Sequence, residues 1–200
     1  MGDELRGENL VHLNVRFSTE TELKKIQDFL YEKSGQGVSF TGLVEAMANE
    51  VTIVTAVHNI KSNKGSRTAG VDKIKMDKYL QMPKDELILL IQSCFRNYRP
   101  KPARREYIEK SNGKKRPLGI PTVLDRIIQE CVRIIIEPIC EARFYPQSYG
   151  FRPYRAQKHA IRGIINVINA GCKSPDQPVW AIEGLSLIHI SEPTRLRCIS

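Results

Sequence analysis

The chain has 200 residues, the span of one ordinary domain or of a small domain with an extension, and its 41% apolar and 26% charged residues exclude a disordered polypeptide. Its 31 Lys and Arg against 22 Asp and Glu give a net charge of +9, which points to a polyanionic partner, nucleic acid first and an anionic membrane surface second. No stretch nears the roughly 18 apolar residues of a spanning helix. The N-terminus carries Asp3 and Glu4 without an apolar core for a signal peptide. The cysteines (Cys94, Cys131, Cys140, Cys172, Cys198) contain no Cys-x-x-Cys pair, so neither a zinc site nor a disulfide framework is supported, and a reducing cytoplasmic setting is expected.

In chain order, Thr19 and Glu22 form a capping box for a first helix, with Leu23, Ile26, Phe29 and Leu30 on its apolar face and Ser34 to Gly37 as its end. A second helix is expected from about Thr41 to Lys61, turning Leu43, Met47, Val51, Val54 and Val57 inward, although its β-branched run weakens the local propensity. Asn63 to Asp72 (NKGSRTAGVD) lacks apolar periodicity and reads as an exposed basic loop. A third helix follows near Pro83, with Leu87, Leu90, Ile91, Cys94 and Phe95 at helical spacing. The prolines of Tyr98 to Pro102 demand an extended segment.

Arg104 to Glu109 and Lys114 to Ile120 then flank Ser111-Asn112-Gly113, a hairpin signal, with Pro117 making the return strand an edge. Thr122 and Asp125 cap a long helix to about Glu141, which buries Ile127, Ile128, Cys131, Ile134 and Ile135 and is kinked or ended by Pro138. An aromatic, basic loop from Arg143 to Arg155 precedes a helix from about Ala156 to Asn169, and Val179 to Glu183 reads as a short strand. Many helices and few strands, without βαβ alternation, make this an α+β fold.

The polar residues concentrate between Arg99 and Arg155. Arg104, Arg105, Lys110, Lys114, Lys115 and Arg116 crowd one hairpin, which suits phosphate groups: arginine offers a planar fork and lysine a point charge. The plainer alternative is a solvated hairpin. In Phe144 to Arg155 (FYPQSYGFRPYR) rings alternate with cations, which fits base stacking, but each single ring is better read as a plug for the core, and Arg152 is the stronger functional candidate. Asp125 reads as a cap, while Arg126, Glu130, Arg133 and Glu137 read as a charged exposed helix face. His58 and His159 are isolated. There is no phosphate-binding glycine motif, no nucleophile elbow and no carboxylate pair suited to two metal ions.

Asn63 to Asp72, Tyr98 to Arg105 (YRPKPARR), Ser111 to Gln129 (SNGKKRPLGIPTVLDRIIQ), Glu137-Pro138, Phe144, Ser148 to Pro153 (SYGFRP) and His159-Ala160 together resemble the group II intron-encoded reverse transcriptases, or intron maturases, over about residues 20 to 184. Glu109 departs from the proline common there. The resemblance implies an N-terminal extension (1–75), reverse-transcriptase fingers (76–178) and the start of the palm (179–184). It implies an RNA-directed DNA polymerase, a nucleotidyltransferase, whose partners are group II intron RNA, an RNA template with a DNA primer, and dNTP. Lys110 and Arg116 would meet the triphosphate of the incoming nucleotide. Arg104 and Arg105 would meet template, and Asn63, Lys64 and Arg67 RNA, with Lys114, Lys115 and Arg152 adding further RNA contacts.

After Val179 to Gly184 (VWAIEG) the family continues with a metal-binding aspartate, where this chain has Leu185. Residues 185–200 (LSLIHISEPTRLRCIS) look like translated sequencing adaptor and are expected to be non-native. The Mg2+ of a full-length enzyme would then find no ligands here, and the fragment is expected to be inactive as a polymerase. The competing readings are a stand-alone RNA-binding, maturase-like module and, with less support, a retron or diversity-generating enzyme.

Overall fold

The computed structural model describes residues 9–13, 15–109 and 113–171, and beyond them the backbone of four short strands. Contacts divide the chain into two compact units, Met1–Arg143 and Phe144–Ser200. Among the described residues no helix is long and apolar enough to cross a membrane.

In the first unit the order is β1 (Leu10–His12), α1 (Glu20–Gly35), β2 (Ser39–Thr41), α2 (Leu43–Met47), α3 (Glu50–Ser62), a 3-10 turn (Lys64–Arg67), α4 (Met76–Gln81), α5 (Lys84–Arg96), the strands β3 (Arg104–Glu109) and β4 (Lys115–Ile120), and α6 (Val123–Glu141). With helices around small two-stranded sheets, the fold is α+β.

Helix α1 starts as its sequence predicts. The Glu22 amide donates to Thr19 Oγ1 at 3.2 Å, and the Thr19 amide donates to Glu22 Oε2 at 3.1 Å. Two amides that open the helix are thus satisfied reciprocally. Leu23 and Leu30 are buried, whereas Phe29 is partly exposed and meets Phe40 edge to face.

The helix expected over Thr41 to Lys61 is two helices. Asn49 ends the first and caps the second, accepting from the Val51 amide at 2.8 Å while its Nδ2 donates to the carbonyls of Val15 and Phe17. Thr52 Oγ1 and Gln92 Nε2 occupy the carbonyls of Ala46 and Ala48 at the break. The new helix start rotates the buried face of α3 to Thr52, Ile53, Ala56 and Ile60, leaving Val54 exposed. Strands β1 and β2, which pair in parallel, and the short α4, which buries Met76 and Tyr79, are further elements beyond the sequence expectation.

Helix α6 runs through the centre of the core, against α1 and α3. Val123, Ile127, Ile128, Cys131, Ile134 and Ile135 are buried, as the periodicity predicts. Each such isoleucine contributes about 1.5–3 kcal/mol of burial free energy. Pro138 lies inside the helix rather than at its end. Proline lacks the N–H that would bond the carbonyl four residues earlier. That carbonyl, of Ile134, instead accepts from Gln27 Nε2 of α1 at 2.9 Å. Near the helix end, Ser34 Oγ donates to the Ile139 carbonyl, and Arg143 Nε donates to Ser34 Oγ.

The charged face of α6 is more ordered than expected. Arg133 bridges Glu130 and Glu137, each at 2.6 Å, and Asn59 Nδ2 also donates to Glu130, which is buried. Burial pushes the Glu130 carboxyl up, but the hydrogen bonds from Arg133 and Asn59 outweigh it and hold the group below its ordinary value. Arg126 is not part of this ladder.

The second unit holds the aromatic loop, α7 (Gln157–Gly171), and strands β5 (Val179–Ala181), β6 (Gly184–Leu185), β7 (His189–Ile190) and β8 (Thr194–Leu196). Strand β5 pairs antiparallel with β8, and β6 with β7.

Candidate nucleic-acid interface

The register of β3 on β4 sorts the basic residues of the hairpin by face. Arg104 faces Ile120, Glu106 faces Leu118 and Ile108 faces Arg116, while Arg105 faces Gly119, Tyr107 faces Pro117 and Glu109 faces Lys115. Residues opposite one another share a face and neighbours along a strand alternate. Arg104 and Arg116 therefore lie on one face, Arg105 and Lys115 on the other. Neighbours in sequence, Arg104 and Arg105, are separated by the sheet itself. Arg104 forms an ion pair with Glu106 at 3.2 Å. Arg105, Lys115 and Arg116 are exposed and have no ion-pair partner among the described residues. Lys114 is also exposed, beside Gly113, whose φ of 75° suits a glycine at the turn. Lys110, Ser111 and Asn112 lie outside the described residues.

The loop from Asn63 to Asp72 is seated beside the hairpin base. Arg126, in the first turn of α6, donates through Nη1 to the Gly65 carbonyl at 2.7 Å and through Nη2 to the Thr68 carbonyl. Gly70 is buried against Pro121 and Thr122, the segment that links β4 to α6. Lys101, which leads into β3, lies 3.8 Å from the Asp72 carboxylate. Asn63, Lys64 and Arg67 stay exposed on the outer side of this loop. The structure thus brings Asn63, Lys64 and Arg67 into the neighbourhood of the strand that carries Arg104 and Arg105.

The junction is polar. Asp125 is buried and accepts from Thr122 Oγ1 at 2.6 Å and from Tyr98 Oη at 2.9 Å. The cap itself is Thr122, which accepts from the Asp125 amide, so the Asp125 carboxylate holds the capping hydroxyl and anchors the extended segment instead of capping the helix. Burial, and then the hydrogen bond to Asp125, push the Tyr98 hydroxyl up to about 12. Burial pulls Arg126 below the ordinary guanidinium value, and the nearby Asp72 charge pushes it back only in part. Asp72 Oδ2, Arg104 Nε and Arg126 Nε are buried without a hydrogen-bond partner among the described residues, and all three belong to this junction. Cys131 is fully buried in the core, and burial and then the Glu130 charge push its thiol up to about 12.

The aromatic loop differs from its sequence reading. Its rings do not plug a core: Phe151 and Tyr154 are fully exposed and Tyr145 is 81% exposed. Arg152 is the buried member. It donates through Nη1 to the carbonyls of Tyr145 and Ser148 and lies 5.1 Å from the centroid of the Phe144 ring. Arg155 repeats the arrangement, donating to the Pro146 carbonyl and covering the Tyr149 ring. Each guanidinium bonds main-chain carbonyls and stacks on a ring, which folds the loop around the cations and turns the remaining rings outward. Phe151 and Tyr154 flank Arg152 with φ of 57° and 58°.

No protein-family model matches the chain. Over 131 residues it is 43% identical to Protein YkfC of Escherichia coli (strain K12), a match that covers 62% of this chain and 32% of that protein. It is 42% identical over 127 residues to the Group II intron-encoded protein LtrA of Lactococcus lactis subsp. cremoris, covering 62% of this chain and 21% of LtrA. The chain is homologous to group II intron-encoded proteins. It is also 34% identical over 180 residues to the Uncharacterized 91 kDa protein in cob intron of Schizosaccharomyces pombe, covering 86% of this chain and 21% of that protein. As a group II intron-encoded protein homologue it spans about a fifth to a third of the length of these relatives. Within it, Arg126 is a polar residue whose partners the sequence does not reveal. The available signal was its position: a cation in the first turn opposes the helix dipole and calls for acceptors from elsewhere in the fold.

Proposed function

We propose that this chain is the N-terminal extension (1–75), fingers (76–178) and palm entry (179–184) of a group II intron-encoded RNA-directed DNA polymerase. In this reading it grips intron and template RNA and the phosphates of an incoming dNTP. The observation that carries the proposal is the meeting of two basic segments, the hairpin and the loop from Asn63 to Asp72, at the start of α6. Exposed cations on a two-stranded projection fit a phosphate backbone, whose bound counterions are released on contact. Arg104, Arg105, Lys114 and Lys115 are assigned to template or intron RNA, together with Asn63, Lys64, Arg67 and, through the loop it shapes, Arg152. Arg116 and Lys110, from one hairpin, are assigned to the triphosphate, where they would neutralise charge on the leaving group.

Polymerisation would need carboxylates that hold Mg2+ near the primer hydroxyl. Among the described residues no group of three or more His, Cys, Asp or Glu could hold a metal ion, and Leu185 stands where the resemblance calls for an aspartate. These residues do not fit the metal, so the 200-residue chain is proposed to bind RNA and not to extend a primer.

Fluorescence anisotropy with a labelled single-stranded RNA at several salt concentrations tests the binding. Affinity should fall steeply with salt, and Arg105→Ala and Lys115→Ala should each lower the salt slope by about 0.7 for a lost phosphate contact. Salt-independent binding, or binding indifferent to both substitutions, overturns the reading. Primer extension by the purified chain with Mg2+ and dNTP should yield no product, and a product overturns the proposed inactivity.

A further inference from the structure

We propose that Arg126 is the positioning residue that sets the basic loop against the hairpin, so that the cations of both segments meet one RNA strand. The inference rests on the RNA-binding reading above and adds a residue that touches no phosphate.

Both terminal nitrogens of Arg126 are engaged, with the Gly65 and Thr68 carbonyls. These acceptors bracket the 3-10 turn Lys64–Arg67, the segment that presents Lys64 and Arg67 to solvent. The other attachments of the loop, Gly70 on Thr122 and Asp72 beside Lys101, act beyond this turn. Arg126 is therefore, among the described residues, a side chain that hydrogen-bonds the cation-bearing turn itself, which also packs near α4.

The chemistry demands arginine. A planar guanidinium spans two carbonyls with fixed geometry, whereas a lysine ammonium is a single point donor on a flexible stem. A cation here also stands in the first turn of α6, where the helix dipole repels it. The two carbonyls offset that repulsion and take one donor from each terminal nitrogen, which ties the guanidinium to the loop. Its charge still contributes to the field of the surface, so its positioning role has to be separated from its charge.

The test combines anisotropy on a labelled oligouridylate with limited trypsin digestion, using the 200-residue chain. In the unaltered background, Lys64→Ala with Arg67→Ala should weaken binding about tenfold and lower the salt slope by about 0.7 for each lost contact. In an Arg126→Gln background the same pair should cost less than about twofold, because the loop no longer holds its cations beside the hairpin. Arg126→Lys keeps the charge but only one donor, and it should show most of the affinity loss of Arg126→Gln. Trypsin should cut after Lys64 and Arg67 faster in both variants, while their thermal melting stays cooperative. If Arg126→Gln does not fold, Arg126→Lys carries the same comparison.

Additive effects of the loop and Arg126 substitutions overturn the inference, as does Arg126→Lys binding like the unaltered chain, since the residue would then act through charge alone. Unchanged trypsin cleavage also overturns it. Failure of the underlying reading looks different: the unaltered chain then shows no salt-dependent binding, or none that depends on Arg105 and Lys115.

Discussion

A methyl group on Gly70 would sit 2.6 Å from Thr122 Cα and 2.8 Å from its nitrogen. Both are main-chain atoms at the start of α6, so no side chain can swing away to make room. Overpacking of a well-filled site costs about 1–3 kcal/mol. Gly70→Ala should therefore lower the unfolding free energy by that amount in urea titration, and it should weaken RNA binding by displacing the basic loop. Gly65, in the same loop, has nothing within 4 Å of its missing Cβ and serves as the control. At this scale the sequence was partly legible. The glycines marked a loop, but that Gly70 is the one pressed against another segment depends on a neighbour 52 positions away, which no local pattern encodes. The partners of Arg126 were illegible for the same reason: its spacing to Glu130 suggested a helical ion pair, while its acceptors are backbone carbonyls, which carry no sequence signature.

Helix α6 shows where elements follow from sequence and where they do not. Its N-cap at Thr122 and its buried face are set by residues three or four positions apart, so both could be read directly. The passage of Pro138 through the helix could not, because it depends on Gln27 from α1 donating to the carbonyl that proline leaves without a partner. Gln27→Ala removes that donor. We expect a loss of about 1–3 kcal/mol in chemical denaturation for a half-buried carbonyl left unsatisfied, with amide exchange quickening first around Ile134 to Cys140. Exchange unchanged there would show that the helix end is held by Ser34 and Arg143 alone. The break between α2 and α3 has the same origin. Asn49 is a good cap in isolation, but its Nδ2 contacts with Val15 and Phe17 tie the break to a distant strand connection. The parallel pairing of β1 with β2, three residues each, is likewise too short to leave a period-2 signal.

For the whole molecule, the buried apolar cluster from Leu13 to Ile135 lies entirely in the first unit. Beyond Arg143, Ile168 is the buried apolar side chain among the described residues. A chain ending at Arg143 should accordingly keep a single cooperative unfolding transition by circular dichroism, with most of the stability of the 200-residue chain. A broad, non-cooperative transition would show that residues after Arg143 are needed to complete the core. Such a truncated chain should also retain salt-dependent RNA binding, since the hairpin and the loop from Asn63 to Asp72 both lie within it.

The sequence by itself determined the basic character of the protein, its α+β class, the hairpin, the caps of α1 and α6 and the resemblance to intron-encoded proteins. Each of these is written in composition or in residues a few positions apart, where covalent geometry and helical or strand periodicity decide the outcome. Tertiary structure alone decided which cations share a face, which arginines are tied to carbonyls, and which rings of the aromatic loop reach solvent. Those depend on strand register and on contacts between segments tens of residues apart. There the competition for buried hydrogen-bond acceptors and for space, rather than local propensity, selects the arrangement.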